Sequence, residues 1–298
     1  MKKGIIPDIN ELLAYKNKVL EVNLFNNKRI NSINNGNFNS FLKGRGMDFD
    51  EVRRYQPGDD IKLIHWPLTA RLGKTYTKIY KEEKERDIYF IIDQSSTMHF
   101  GTKVCFKNVL AANLFSLIGW SALENAERVG GFVFNNSKME YIKPIRNRKS
   151  LLSMFRVLIN NNLLNKYDGG INESLKLLYK NASSGSLIII LSDFYNLNSE
   201  GEKFLKLLVS KNDIINFFLY DEIESNLPKN ALLTFTGQDN NILEIFSNNK
   251  NRNLYAENFL KRFNNIKDLS NKNRMKFLSI KTNDDLLFKI NEVSFYGK

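Results

Sequence analysis

The chain has 298 residues, of which 42% are hydrophobic and 26% are charged, and this composition excludes wholesale disorder because such a chain can bury a sizeable core. The formal net charge is +12, but the excess is mostly lysine spread along the chain and does not form the aromatic-interleaved basic clusters of a nucleic-acid surface. The single cysteine, Cys105, excludes an internal disulfide framework and fits a reducing compartment.

The N-terminus carries two lysines with no apolar run behind them, so we expect no secretory signal. The most apolar window, residues 109–123, is interrupted by Asn113 and Ser116 and is shorter than the roughly 20 residues that a membrane-spanning helix needs. We therefore expect a core helix at this window, no transmembrane segment, and a cytoplasmic protein.

Residues 1–86 differ in kind from the rest of the chain. A helix is predicted near residues 10–20, and a stretch dense in Asn and Gly follows at residues 31–46. Residues 48–83 then carry turn signals at Pro57-Gly58 and Leu72-Gly73. This pattern indicates an irregular or β-rich N-terminal subdomain.

From residue 87 to residue 298, short apolar runs alternate with helical patterns, as in stacked βαβ units. The strands are predicted at residues 88–92, 129–134, 187–191, 214–219 and 276–280, with an antiparallel edge strand at 138–145. The helices are predicted at residues 103–125, 148–159, 171–181, 200–209, 254–270 and 284–293. We therefore expect an α/β domain over residues 87–298, with a mostly parallel, Rossmann-like sheet flanked by helices.

Polar side chains follow two of these strands where each strand ends. Asp93 is followed by Ser95 and Thr97 on alternate residues, and Asp193 follows a later strand. The carboxyl ends of parallel strands share one edge of the sheet, and two carboxylates there are unfavourable unless a cation separates them or one binds a proton. Carboxylate and hydroxyl oxygens suit Mg²⁺, so the pattern predicts a metal-assisted docking loop. Helix capping by the same residues is the simpler alternative.

Two other functions can be weighed from the residues. Ser95, His99 and Asp193 have the composition of a hydrolase triad, but no G-x-S-x-G elbow supports that interpretation. The phosphate-binding G-x-x-x-x-G-K pattern is also absent from the sequence. We therefore predict no catalytic residues, no nucleotide site and no enzymatic activity. A basic nucleic-acid-binding module remains the first alternative, and a serine-dependent hydrolase remains the second.

A turn in the N-terminal segment carries Asp59 and Asp60 directly after Pro57-Gly58. Such a turn can bind a cation, but it more often satisfies its own backbone. The nearby arginines are predicted to pair with these carboxylates; they are Arg53, Arg54 and Arg71. Trp66 is predicted to be a buried anchor for the segment.

These residues carry a family resemblance. The run from Arg53 to Asp60, followed by His65-Trp66 and Ala70-Arg71, resembles the R-x-Y-x-P-G-D-D signature of the bacterial DUF58 family. The resemblance extends over most of the chain. It implies a von Willebrand A-like domain, a metal-ion-dependent adhesion loop, and a partner among the MoxR-type AAA+ ATPases in chaperone-like maturation or assembly of a client protein.

The resemblance implies metal ligands, and the sequence departs from them in two places. Thr97 stands where the family has a second serine, and a middle-loop threonine has no clear counterpart in residues 168–172. Asp168 or Asn172 could supply the missing oxygen. The predicted Mg²⁺ ligands are therefore Asp93, Ser95, Thr97 and Asp193, with Asn172 and Asp168 as weaker candidates.

Overall fold

The computed structural model describes residues 4–21, 47–82, 85–136, 138–160, 167–168, 170–236 and 242–291. Contacts divide the chain into two compact units, one of Met1–Ile30 with Arg86–Lys298 and the other of Asn31–Glu85. The first unit contains helix α1 (Ile9–Ala14) and a 3₁₀ helix (Tyr15–Glu21). The predicted boundary between residues 86 and 87 placed these two helices with the N-terminal segment instead.

The unit of residues Asn31–Glu85 is built on a two-stranded antiparallel sheet of β1 (Met47–Arg54) and β2 (Tyr76–Glu82), with helix α2 (Trp66–Leu72) between them in sequence. The hydrogen-bonding groups of its Pro-Gly turn are paired within the turn and with a neighbouring arginine. Asp59 accepts hydrogen bonds from the amide of Gln56 and from Arg53 at 2.6 Å. The predicted burial of Trp66 is wrong, since this side chain is 62% exposed. It is the first residue of helix α2, which has no buried residue, so the ring has no core to pack against.

The described residues of the larger unit form nine strands after α1. They are β3 (Asp87–Asp93), β4 (Arg128–Phe134), β5 (Lys138–Ile145), β6 (Tyr167–Asp168), β7 (Leu187–Ser192), β8 (Asp213–Tyr220), β9 (Leu232–Thr236), β10 (Ile242–Phe246) and β11 (Lys276–Lys281). Strands β9 and β10 form a separate antiparallel pair. The other seven form one sheet in the order β11-β8-β7-β3-β4-β5-β6, in which only β5 runs against the rest.

Helices cover both faces of this sheet. They are α3 (Lys107–Glu124), α4 (Arg148–Asn160), α5 (Ile171–Asn181), α6 (Ser199–Val209), α7 (Glu222–Ser225), α8 (Asn249–Lys272) and α9 (Leu286–Asn291). Alternate residues of a strand point to opposite faces, so Phe90 joins the core under α3 and α4, whereas Ile91 joins the core under α5, α6 and α8. The predicted α/β fold, a mostly parallel sheet flanked by helices, is confirmed.

Helix α3 has apolar residues on every face, and the structure covers it on all sides. The segment of α1 lies against it, and the backbone oxygen of Leu12 accepts hydrogen bonds from Ser116 Oγ at 2.5 Å and from Trp120 Nε1 at 3.2 Å. Almost all of its 18 residues are buried. No helix among the described residues is both long enough and apolar enough to cross a membrane.

Candidate functional site

The central strands bring the two predicted aspartates to one edge of the sheet. Strands β3 and β7 are parallel neighbours, with Ile92 beside Leu191 in the register, so Asp93 ends the first strand next to the point where Asp193 follows the second. Both carboxylates are nearly inaccessible, at 4% exposure for Asp93 and 1% for Asp193. The expectation that these residues meet at the carboxyl edge of the sheet agrees with this register.

The carboxylate of Asp93 organises the base of the loop. Its Oδ1 accepts a hydrogen bond from the amide of Ser95 at 2.8 Å, and its Oδ2 accepts one from Ser192 Oγ at 2.5 Å. Burial, reinforced by the negative charge of Asp193, raises the pKa of Asp93 to about 6. Ser192 was missed in the sequence, although its place directly before Asp193 at a strand end was a usable signal.

The loop hydroxyls lie together above this carboxylate. Ser95 Oγ and Thr97 Oγ1 are 3.1 Å apart, and Thr97 is half-buried. The loop is tied to the turn after β4, because Asn136 accepts from the amide of Ser96 at 3.0 Å and donates to Ser96 Oγ at 2.9 Å. These bonds hold the loop in one shape.

A lysine that the sequence analysis missed completes the electrostatics of the site. Lys107 has no exposed surface, and its Nζ donates to Asp193 Oδ2 at 2.8 Å and to Glu224 Oε1 at 2.9 Å. Burial alone would lower the pKa of Lys107, but the two carboxylates hold it above its ordinary value. The sequence did not mark it, because Lys103 and Lys107 both precede the apolar run and only the structure shows that Lys107 is the buried one.

The same lysine sets the state of Asp193. Burial would raise the pKa of this carboxyl, but the charge and hydrogen bond of Lys107 lower it below the ordinary value. The other oxygen of Asp193 accepts from the amide of Tyr195 at 3.0 Å. The two aspartates therefore differ: Lys107 keeps Asp193 ionised, whereas the raised pKa of Asp93 lets it bind a proton at a higher pH than an ordinary aspartate.

The two weaker metal candidates, Asp168 and Asn172, have different positions in the fold. Asp168 is on the two-residue strand β6, which β4 and β5 separate from β3. The side-chain amide of Asn172 donates to the backbone oxygen of Asn196 at 2.8 Å and accepts from the amide of Asn198 at 3.1 Å. Asn172 therefore braces the segment that follows Asp193.

The histidine of the hydrolase alternative has a different partner from the one that catalysis needs. The Nδ1 of His99 lies 3.0 Å from the backbone oxygen of Ser95, and the hydroxyl of Ser95 pairs with Thr97. A triad needs the imidazole against the serine hydroxyl. The contact of Nδ1 with the backbone oxygen is therefore not the imidazole–hydroxyl hydrogen bond of a triad.

An open cavity of about 870 Å³ adjoins the loop. Ser96, Thr97 and Asp193 lie on one side of it, and α8 forms the other side with Tyr255 and Arg262. The guanidinium of Arg262 lies over the exposed ring of Tyr195 at 5.1 Å. The wall of the cavity thus carries hydroxyls, an aromatic ring and a guanidinium.

The donor set does not fit a Mg²⁺ ion. The ammonium of Lys107 lies 2.8 Å from Asp193 Oδ2. A divalent ion at the same carboxylate would be repelled by this ammonium. Metal binding by these residues therefore stays a prediction, and the position of Lys107 is unfavourable for it.

Known proteins similar to this chain add little about function. Uncharacterized proteins of Mycobacterium tuberculosis and Mycobacterium bovis are each 22% identical over 251 residues, which is 83% of this chain and 77% of theirs. Among solved structures, the conserved hypothetical protein BatB of Bacteroides thetaiotaomicron has 12% identity and a TM-score of 0.46, with 70% of this chain and 96% of that chain covered.

A second solved structure, an aerotolerance-related membrane protein from Bacteroides fragilis, has 15% identity and a TM-score of 0.42. The alignment covers 70% of this chain and the whole of that chain. The family model described as "protein of unknown function DUF58" matches residues 51–263. Because this match covers well over half of the residues, the chain belongs to the DUF58 family.

Proposed function

We propose that this protein is a non-enzymatic adaptor that binds a partner protein through the loop of residues 93–97 and the cavity beside it. One observation carries the proposal: two aspartates and two hydroxyls meet at one rim of the sheet, directly beside an open cavity of about 870 Å³. In an open α/β sheet, ligands bind at this carboxyl edge. The proposal treats the larger unit as a von Willebrand A-like domain.

The loop is suited to docking because it is held in place before a partner arrives. Asp93 fixes it from below, and Asn136 fixes it from the side through two hydrogen bonds to Ser96. A preorganised surface loses little conformational entropy on binding. Ser96 and Thr97 are half-buried at the cavity edge, where a partner can reach them.

The partner in this proposal is a MoxR-type AAA+ ATPase, and the work is chaperone-like maturation or assembly of a client protein. This part rests on the DUF58 family resemblance. The cytoplasmic location belongs to the same proposal and rests on the single cysteine. The proposal does not include the predicted Mg²⁺ ion, because the ammonium of Lys107 already neutralises the carboxylate of Asp193.

The test measures binding of a purified MoxR-type ATPase from the same organism to immobilised protein. Ser96→Arg fills the cavity edge with a bulky side chain, and we expect it to weaken binding at least about ten-fold, or about 1.4 kcal/mol. The matched control is Ser184→Arg, since Ser184 is exposed in the loop before β7, at the opposite end of that strand. Thermal unfolding verifies that both variants are folded.

Three results are informative. Loss of binding in Ser96→Arg with full binding in Ser184→Arg supports docking at the loop. Equal binding by both variants contradicts it. Absence of binding by the wild-type protein contradicts the choice of ATPase as partner.

A further inference from the structure

Lys107 stands in a place that is unfavourable for a lysine in three respects. Its side chain is fully buried, which removes the hydration of an ammonium. It is the first residue of the 18-residue helix α3, where the partial positive charge of the helix N-terminus repels a cation. Its long side chain is also fixed in one conformation. Something at this position must compensate these costs.

The compensation comes from two acidic side chains on separate elements. Asp193 follows β7, and Glu224 lies in α7; both accept a hydrogen bond from Lys107 Nζ, at 2.8 and 2.9 Å. The other oxygen of Glu224 accepts a hydrogen bond from the amide of Asp221 at 2.8 Å, in a capping box. The ammonium therefore links Asp193 to α7, in the way that a bound metal ion can link two carboxylates. We call the loop of residues 93–97 together with Asp193 the docking rim.

We propose that Lys107 is the built-in cation of this site, so that the docking rim binds its partner without a divalent metal ion. The inference deepens the proposed function and rests on it for its biological meaning. It replaces the predicted Mg²⁺ with a side chain of this chain. Binding through the rim is then insensitive to chelators.

The geometry leaves a divalent ion without a good position at Asp193. Its Oδ1 accepts the amide of Tyr195 and its Oδ2 accepts Lys107 Nζ. An ion that bridges Asp193 to Asp93 has to share these oxygens with a fixed ammonium, and like charges at such a distance in a buried site repel strongly. Asp93 is also engaged at both oxygens, by the amide of Ser95 and the hydroxyl of Ser192.

The test is a titration of the purified full chain with Mn²⁺, followed by the electron paramagnetic resonance signal of the free ion. We expect no saturable site for wild type or for Lys107→Arg, which keeps the charge. We expect Lys107→Ala, which frees Asp193 and Glu224, to gain one saturable Mn²⁺ site with a Kd below about 1 mM.

The inference is overturned if wild type binds one Mn²⁺ with a Kd below about 1 mM and Asp193→Asn abolishes that binding. This comparison decides the matter even if Lys107→Ala fails to fold. The titration uses this chain alone, and this separates the two proposals. A Mn²⁺ site in wild type overturns the built-in cation and leaves docking intact, whereas loss of docking leaves the Mn²⁺ result standing.

Discussion

Removal of the Lys107 charge has a cost that can be worked out from the structure. In Lys107→Met, a side chain of similar length loses only the ammonium. Asp193, at 1% exposure, is then left as a buried carboxylate without its cation. Breaking a buried ion pair from one side costs about 3 to 5 kcal/mol, which is a large share of the roughly 5 to 15 kcal/mol of stability of an ordinary domain.

The cost should depend on pH. Without Lys107, burial raises the pKa of Asp193 above its unfolded value, so the carboxyl can escape the penalty by binding a proton. A raised pKa in the folded state means that stability is present at low pH and is lost as the pH rises through the folded pKa. Lys107→Met should therefore be closer to wild type at pH 5 than at pH 8.

A double-mutant cycle isolates the pair. Lys107→Met and Asp193→Asn are each expected to destabilise the protein, and the double variant should lose less than the sum because no unpaired charge remains at their contact. The free energy of unfolding is measured in urea by far-UV circular dichroism. The reasoning is refuted if Lys107→Met lies within about 0.5 kcal/mol of wild type at pH 8, or if the two single effects simply add.

Three further predictions concern burial and backbone shape. Burial raises the pKa of Asp93 to about 6, so the free energy of unfolding of wild type should fall by on the order of 2 to 3 kcal/mol as the pH rises from about 4 to about 8. Asp93→Asn should abolish this pH dependence in urea titrations across that range. Asp221 accepts four hydrogen bonds, so Asp221→Ala should lower the free energy of unfolding in urea by about 3 kcal/mol. The control Asn198→Ala, at an exposed helix cap, should lower it by about 1 kcal/mol, and equal losses would contradict this reasoning. Gly131 has a φ of +142°, and a Cβ there would lie 1.9 Å from the backbone oxygen of Phe90, so Gly131→Ala should lower the thermal midpoint by well over about 5 °C; an unchanged midpoint contradicts the register of β3 and β4.

The strands and helices of the larger unit follow closely from apolar periodicity. Helix α5 has the predicted bounds, Ile171–Asn181, and β5 has the predicted bounds, Lys138–Ile145. Helix α8 begins at Asn249 and ends at Lys272, several residues beyond the apolar pattern, because its ends face solvent and carry polar residues. The antiparallel pair of β9 and β10 was not predicted, since exposed apolar side chains such as Ile242 and Phe246 give no clear inward face.

The site was partly predictable. Asp93 and Asp193 could be placed together because each follows a buried strand and parallel strands share an edge. The contact of Lys107 with Glu224 joins residues 117 positions apart, and it depends on how α3, β7 and α7 pack. No local pattern contains that information, so the residue that decides the charge of the site appeared only in the structure.

The measurement that tests the central claim most directly is hydrogen–deuterium exchange of the chain, alone and bound to the MoxR-type ATPase. Docking at the rim predicts slower exchange on binding in the peptides that contain Ser96, Thr97 and Tyr195, with no change in the loop around Ser184. Unchanged exchange at the rim, with protection confined to other parts of the chain, would contradict the account.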